Sequence, residues 1–95
     1  MYLISYDISE NKRRNKIFKE LKNYGRHVQF SVFECDIDKK RYRQLYASLL
    51  HLMDGCEEGN IRIYQICANC RKTIYTIGNP TERTGAADEQ DTIVI

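Results

Sequence analysis

His27-Val28-Gln29-Phe30-Ser31-Val32-Phe33-Glu34-Cys35-Asp36 is the stretch on which the fold turns. It is rich in β-formers and reads either as one long strand or as two short strands that reverse near Phe30-Ser31. Local pattern leaves both readings open. Upstream, Tyr2, Ile4, Tyr6 and Ile8 alternate with Leu3, Ser5 and Asp7, the period of a half-buried strand. Ser9 is an N-cap residue type, and Glu10 suits the first turn of a following helix. Ile17, Phe18, Leu21 and Tyr24 recur at helical spacing and Gly25 is a natural stop, so a helix is expected over residues 10–24. Its other face carries Lys12, Arg13, Lys16, Lys19 and Lys22.

Downstream, Asp38 can cap a second helix. There Tyr42, Leu45, Tyr46, Leu49, Leu50 and Met53 make the strongest periodic signal in the chain. Gly55 ends it. Core packing is expected for Tyr42 and Tyr46, and a surface position for His51. Asn60 to Cys67 and Thr73 to Ile77 read as a β-hairpin across Cys67-Ala68-Asn69-Cys70, closed by Gly78-Asn79-Pro80. Residues 79–91 read as a polar linker. Thr92-Ile93-Val94-Ile95 is suited to pairing with a sheet edge. Two helices against one sheet of four or five strands make a two-layer α/β (α+β) sandwich. Both helices cover one face. Leu3, Ser5 and Asp7 then point to the open face, which invites dimerisation.

The chain's 95 residues suffice for one domain. Such a domain buries one modest core and has little room for an enclosed pocket, so an active site is expected to be shallow or shared between subunits. No apolar run has the length of a membrane span and the N-terminus lacks a basic leader, so no membrane association and a cytoplasmic location are expected. Residues 1–53 carry eleven Lys/Arg against six Asp/Glu, a net of +5; residues 54–95 carry four against seven, a net of −3; together they give the chain's +2. A polyanionic partner belongs on the first half. No glycine-rich phosphate loop and no serine nucleophile motif is present.

The four cysteines are Cys35, Cys56, Cys67 and Cys70. Cys67 and Cys70 form a lone CxxC. It admits a structural zinc site, a redox pair, or a tight turn with reduced thiols, and the last is the expected one, because no further ligands stand at zinc-site spacing.

Asp7 carries the most chemical information. It ends an otherwise apolar strand, where α/β sheets commonly present functional groups. It either caps the first helix, pairs with Arg13 or Arg14, or holds a cation. A carboxylate for Mg²⁺ beside arginines for phosphate is the minimum equipment of a phosphodiesterase. One carboxylate makes a poor Mg²⁺ site; two copies related by a two-fold axis make a better one.

Tyr6-Asp7-Ile8, Arg13-Arg14-Asn15-Lys16-Ile17, Tyr24-Gly25, Val28-Gln29-Phe30-Ser31-Val32-Phe33-Glu34-Cys35 and Ile61-Arg62-Ile63-Tyr64 follow one another with the spacing of a known family. The chain resembles the CRISPR-associated protein 2 family from residue 2 to about residue 78. The resemblance implies a ferredoxin-like βαββαβ fold over residues 1–78, and hence the two-strand reading of residues 27–36. It further implies an additional C-terminal strand within residues 79–95 that pairs in a homodimer. It implies a Mg²⁺- (or Mn²⁺-) dependent endonuclease acting on RNA or double-stranded DNA during CRISPR spacer acquisition, partnered with the CRISPR-associated integrase (CRISPR-associated protein 1). The alternative is a non-catalytic dimeric adaptor that holds DNA for that integrase. Asp7 falls at the family's catalytic and metal-binding position. Lys12, Arg13, Arg14, Lys16, Arg26 and His27 fall to nucleic-acid binding, and Tyr6, Ser31 and Phe33 to supporting roles. Where the family often has arginine before Val-Gln, this chain has His27, so phosphate contact there is expected to be weaker and pH-dependent.

Overall fold

A computed structural model describes residues 1–78. Strand β1 (Tyr2–Asp7) leads into helix α1 (Asn11–Lys22). Strands β2 (Arg26–Gln29) and β3 (Val32–Cys35) follow, then helix α2 (Lys39–Leu52), strand β4 (Asn60–Gln65) and the single-turn helix α3 (Ala68–Arg71). The sheet order is β2-β3-β1-β4, and all pairs are antiparallel. This is the ferredoxin-like arrangement.

The deciding stretch is two strands. The chain reverses over Phe30 and Ser31, with Gln29 opposite Val32 and a register shift between His27 and Gln29. Ser31 takes the left-handed conformation, φ 66°. A non-glycine residue there costs roughly 1–2 kcal/mol. The Ser31 carbonyl accepts the Tyr6 N–H at 3.0 Å, which locks the turn to β1.

Alternation in β1 sets the core. Tyr2, Ile4, Tyr6 and Ile8 are buried together with Phe33, Cys35, Ile17, Leu21, Leu45 and Leu49. Phe33 lies opposite Ile4 across the β1–β3 ladder, and Ile63 opposite Ile4 across the β1–β4 ladder. Leu3, Ser5 and Asp7 point away from the helices, as the alternation predicts. Asp38 caps α2, its carboxylate accepting the Arg41 N–H at 2.8 Å.

Four local expectations are corrected. Ser9 does not cap α1; Glu10 stands at the N-cap without a side-chain cap bond. The last carbonyls before the helix, those of Ile8 and Ser9, take hydrogen bonds from the Arg14 guanidinium instead. Gly25 is no left-handed stop, because α1 already ends at Asn23 in helical geometry. A Cβ on Gly25 would lie 2.3 Å from the Glu34 carbonyl oxygen and 2.5 Å from the Cys35 sulfur, so close approach of β3 demands glycine. Tyr46 is 45% exposed and not a core residue: Leu45 and Leu49 fill the contact, and Tyr46 lies on the flank of the stripe against Tyr42.

The fourth correction concerns the hairpin. Past β4 the chain makes α3, and residues 73–77 form no strand. The Arg71, Lys72, Thr73 and Ile74 N–H groups all bond back to carbonyls within residues 67–71, which consumes the donors a hairpin requires. An Arg71–Asp36 ion pair of 2.5 Å holds α3 to the end of β3. Among the described residues β4 therefore pairs on one side only. The expected C-terminal strand lies outside the described residues.

Gly25→Ala is expected to destabilise the chain by about 1–3 kcal/mol through overpacking against β3, measurable as a lowered urea midpoint at unchanged slope.

Candidate functional site

Asp7 closes β1 on the open face of the sheet, opposite Asn60 of β4. Its position is held by a close backbone approach. Gly59, at φ 120°, lies so near that a Cβ there would come within 2.7 Å of the Asp7 carbonyl oxygen. Ser31 buttresses the other side through Tyr6. Burial pushes the Tyr6 phenol above its ordinary pKa, while the Ser31 hydroxyl and the Arg14 charge pull it back.

The Asp7 side chain is exposed and, among the described residues, makes no hydrogen bond or ion pair. Arg13 and Arg14, the arginines the sequence offers as its partners, are engaged elsewhere. Arg13 bonds the Glu10 carboxylate at 3.1 Å and the carbonyls of Leu52 and Asp54 at 2.5 and 3.0 Å. It thus clasps the C-terminal end of α2, where a cation also meets the negative end of the helix dipole. Arg14 donates to Ile8, Ser9 and the Asn11 side chain. Of the expected nucleic-acid contacts on α1, Lys12 and Lys16 are the solvent-exposed pair.

The two other expected contacts stand on opposite faces. Arg26 pairs with Glu34 across the β2–β3 ladder at 3.4 Å. Because Glu34 lies opposite Leu3, this pair shares the face of Asp7. His27 lies opposite Phe33, on the helix-covered face, and packs its ring 5.1 Å from Phe18 and 5.0 Å from Phe33. The fold does not bring His27 to Asp7. Tyr6 and Phe33 are buried on that same covered face, as supports.

One cation escaped the sequence reading. Arg62 lies opposite Ser5, so it shares the open face with Asp7 and stands diagonal to it. Diagonal partners are about 7–8 Å apart, within the reach of an arginine. It is exposed and has no ion pair among the described residues. The signal was present: Arg62 sits between Ile61 and Ile63, the alternation that placed Asp7.

A family described as CRISPR associated protein Cas2 matches residues 1–74. The chain belongs to the Cas2 family. A Chloroflexus aurantiacus relative named CRISPR-associated endoribonuclease Cas2 1 is 51% identical over 78 residues, covering 82% of this chain and 84% of the relative. A chain in a solved structure entitled partial Cas6-RT-Cas1–Cas2 complex superposes with a TM-score of 0.71 at 36% identity, covering 87% of this chain and 97% of that one. Streptococcus pyogenes Cas2 superposes with a TM-score of 0.70 at 28% identity, covering 81% and 98%.

The donor set suits a hard divalent cation. Asp7 offers carboxylate oxygens to solvent without a competing internal cation, and Mg²⁺ commonly binds through one or two carboxylates while keeping several waters. Among the described residues no three His, Cys, Asp or Glu side chains converge. No helix among them is long and apolar enough to cross a membrane.

Gly59→Ala is expected to lower stability by about 1–3 kcal/mol and to displace Asp7; urea unfolding reads the first effect and RNA cleavage the second.

Proposed function

We propose that this chain is a divalent-cation-dependent endoribonuclease of the spacer-acquisition machinery, active as a homodimer and partnered with Cas1. The observation that carries it is the uncompensated Asp7 carboxylate on the open sheet face, in a chain whose relatives bear the name endoribonuclease. The Cas1–Cas2 complex among the structural matches supports the partner. Expression in the cytoplasm follows from that role.

The open face supports a second copy of the chain as its cover. It presents Leu3, Val32 and Tyr64 amid the charges of Arg26, Glu34, Arg62 and Asp7. In a single chain Asp7 is hydrated and costs nothing. Once two copies bring two Asp7 side chains together, a cation between them relieves their repulsion. The two Asp7 carboxylates would hold Mg²⁺ or Mn²⁺, which would supply that relief and Lewis-acid chemistry at phosphate. The chain's own groups do the rest. Asp7 orients, Arg62 holds phosphate on the open face, and Lys12 and Lys16 track the backbone without reading sequence. Phe30, 85% exposed at the β2–β3 turn, offers a ring on which any base can stack. The adaptor reading uses the same cations and leaves Asp7 without a task.

Asp7→Asn is expected to reduce Mg²⁺-dependent RNA cleavage by at least about a hundredfold while retaining RNA binding. It should also abolish the dependence of dimer dissociation on divalent cation, read by sedimentation with and without Mg²⁺. Unchanged cleavage in this variant would falsify the catalytic assignment. Arg62→Ala is expected to reduce the log–log salt slope of single-stranded RNA binding by about 0.7, the loss of one phosphate contact; an unchanged slope removes Arg62 from the interface.

A further inference from the structure

Cys67 and Cys70 stand apart from the site above. Both are exposed and free, on the turn where the chain leaves β4. The Cys67 sulfur caps α3, accepting the Cys70 N–H at 3.4 Å. That contact makes them unequal. The Cys70 and Asn69 N–H groups pull Cys67 below the ordinary thiol pKa, and the neighbouring Cys67 pushes Cys70 up. Cys35 is the contrast: wholly buried, and pushed by burial up to about 11.

We propose that Cys67 and Cys70 are a reversible dithiol–disulfide pair that exchanges with low-molecular-weight disulfides. Cys67 is the attacking sulfur and Cys70 the resolving one. The Cys67 thiolate attacks a small disulfide, forming a mixed disulfide and releasing one thiolate. Cys70 then loses its proton and attacks the Cys67 sulfur, closing the Cys67–Cys70 bond and releasing the second thiolate. The protein dithiol is oxidised by two electrons and the small disulfide is reduced to two thiols. Positions one helical turn apart hold their Cβ atoms about 5–6 Å apart, and a disulfide draws them to about 3.5–4.5 Å. Closure therefore needs only a local tightening of α3, between the Arg71–Asp36 ion pair and the Thr73 hydrogen bonds to the Cys70 carbonyl. A zinc site is the poorer fit, since among the described residues no third ligand stands near the pair. The nuclease reading neither requires this pair nor excludes it.

The test holds the full chain in glutathione buffers from reduced to oxidised, quenches with iodoacetamide and analyses peptides by mass. The peptide with Cys67 and Cys70 is expected to lose two hydrogens reversibly, while Cys35 and Cys56 stay as single thiols. In Cys70→Ser, Cys67 should capture one glutathione about tenfold faster at neutral pH than Cys70 does in Cys67→Ser. A pair that stays reduced at every ratio overturns the proposal. Equal capture rates overturn the assigned roles. Zinc that protects both thiols with four sulfurs per ion, without the loss of two hydrogens, replaces the pair with a metal site shared between copies.

Discussion

The pleat of β1 is the constraint from which the rest follows. Side chains of a strand alternate strictly between faces, so burying Tyr2, Ile4 and Tyr6 under the helices forces Leu3, Ser5 and Asp7 to the other side. A slip of one residue would bury Asp7 without a partner, at a cost of several kcal/mol. Because β1 pairs with both β3 and β4, the same phase propagates through the sheet. It puts Phe33 and Ile63 in the core and Glu34 and Arg62 outside. The site is thus a by-product of core packing: whatever holds Ile4 in place also aims Asp7.

The basic residues of α1 divide their labour by headgroup. A planar guanidinium with five donors can serve several carbonyls at once, and Arg13 and Arg14 do so, tying α1 to the end of α2 and to the β1–α1 loop. An ammonium on a flexible stem is better spent in solvent, and Lys12 and Lys16 are left there. The loop after Asp7 is therefore stiff on both sides, with the Arg14 carbonyl bonds following it and Gly59 packed behind it.

The β1 alternation, the two helices and the open face were legible in the sequence because each rests on a period that local composition displays. The split of residues 27–36 was not legible in local pattern, since both readings use the same β-formers, and it came only from the family resemblance. What decides it is a left-handed Ser31 anchored to Tyr6, and serine does not advertise that conformation. Gly25 looked like a stop for the same reason that any glycine after a helix does; its work is to let β3 approach, a contact between residues far apart in the chain. The hairpin after β4 lost to a sulfur cap that strand propensities ignore. Asp7 stood out as a candidate because a charge in an apolar strand is conspicuous. Arg62 was missed although the identical period displays it, because arginine in a strand is read as ordinary surface.

Size bears on why the proposed site would be shared between two copies. Among the described residues the core comprises ten buried side chains, all of them apolar or aromatic or cysteine, and no three metal-ligating groups gather. An enclosed centre in one chain would require burying charges against a core too small to compensate them. Placing one carboxylate on a solvated face avoids that cost in the single chain. In the proposed dimer a two-fold axis would double the carboxylate without any further residue, and the repulsion between the two copies would recruit a cation. In the proposed dimer metal affinity, dimer stability and catalysis would form one linked equilibrium through Asp7.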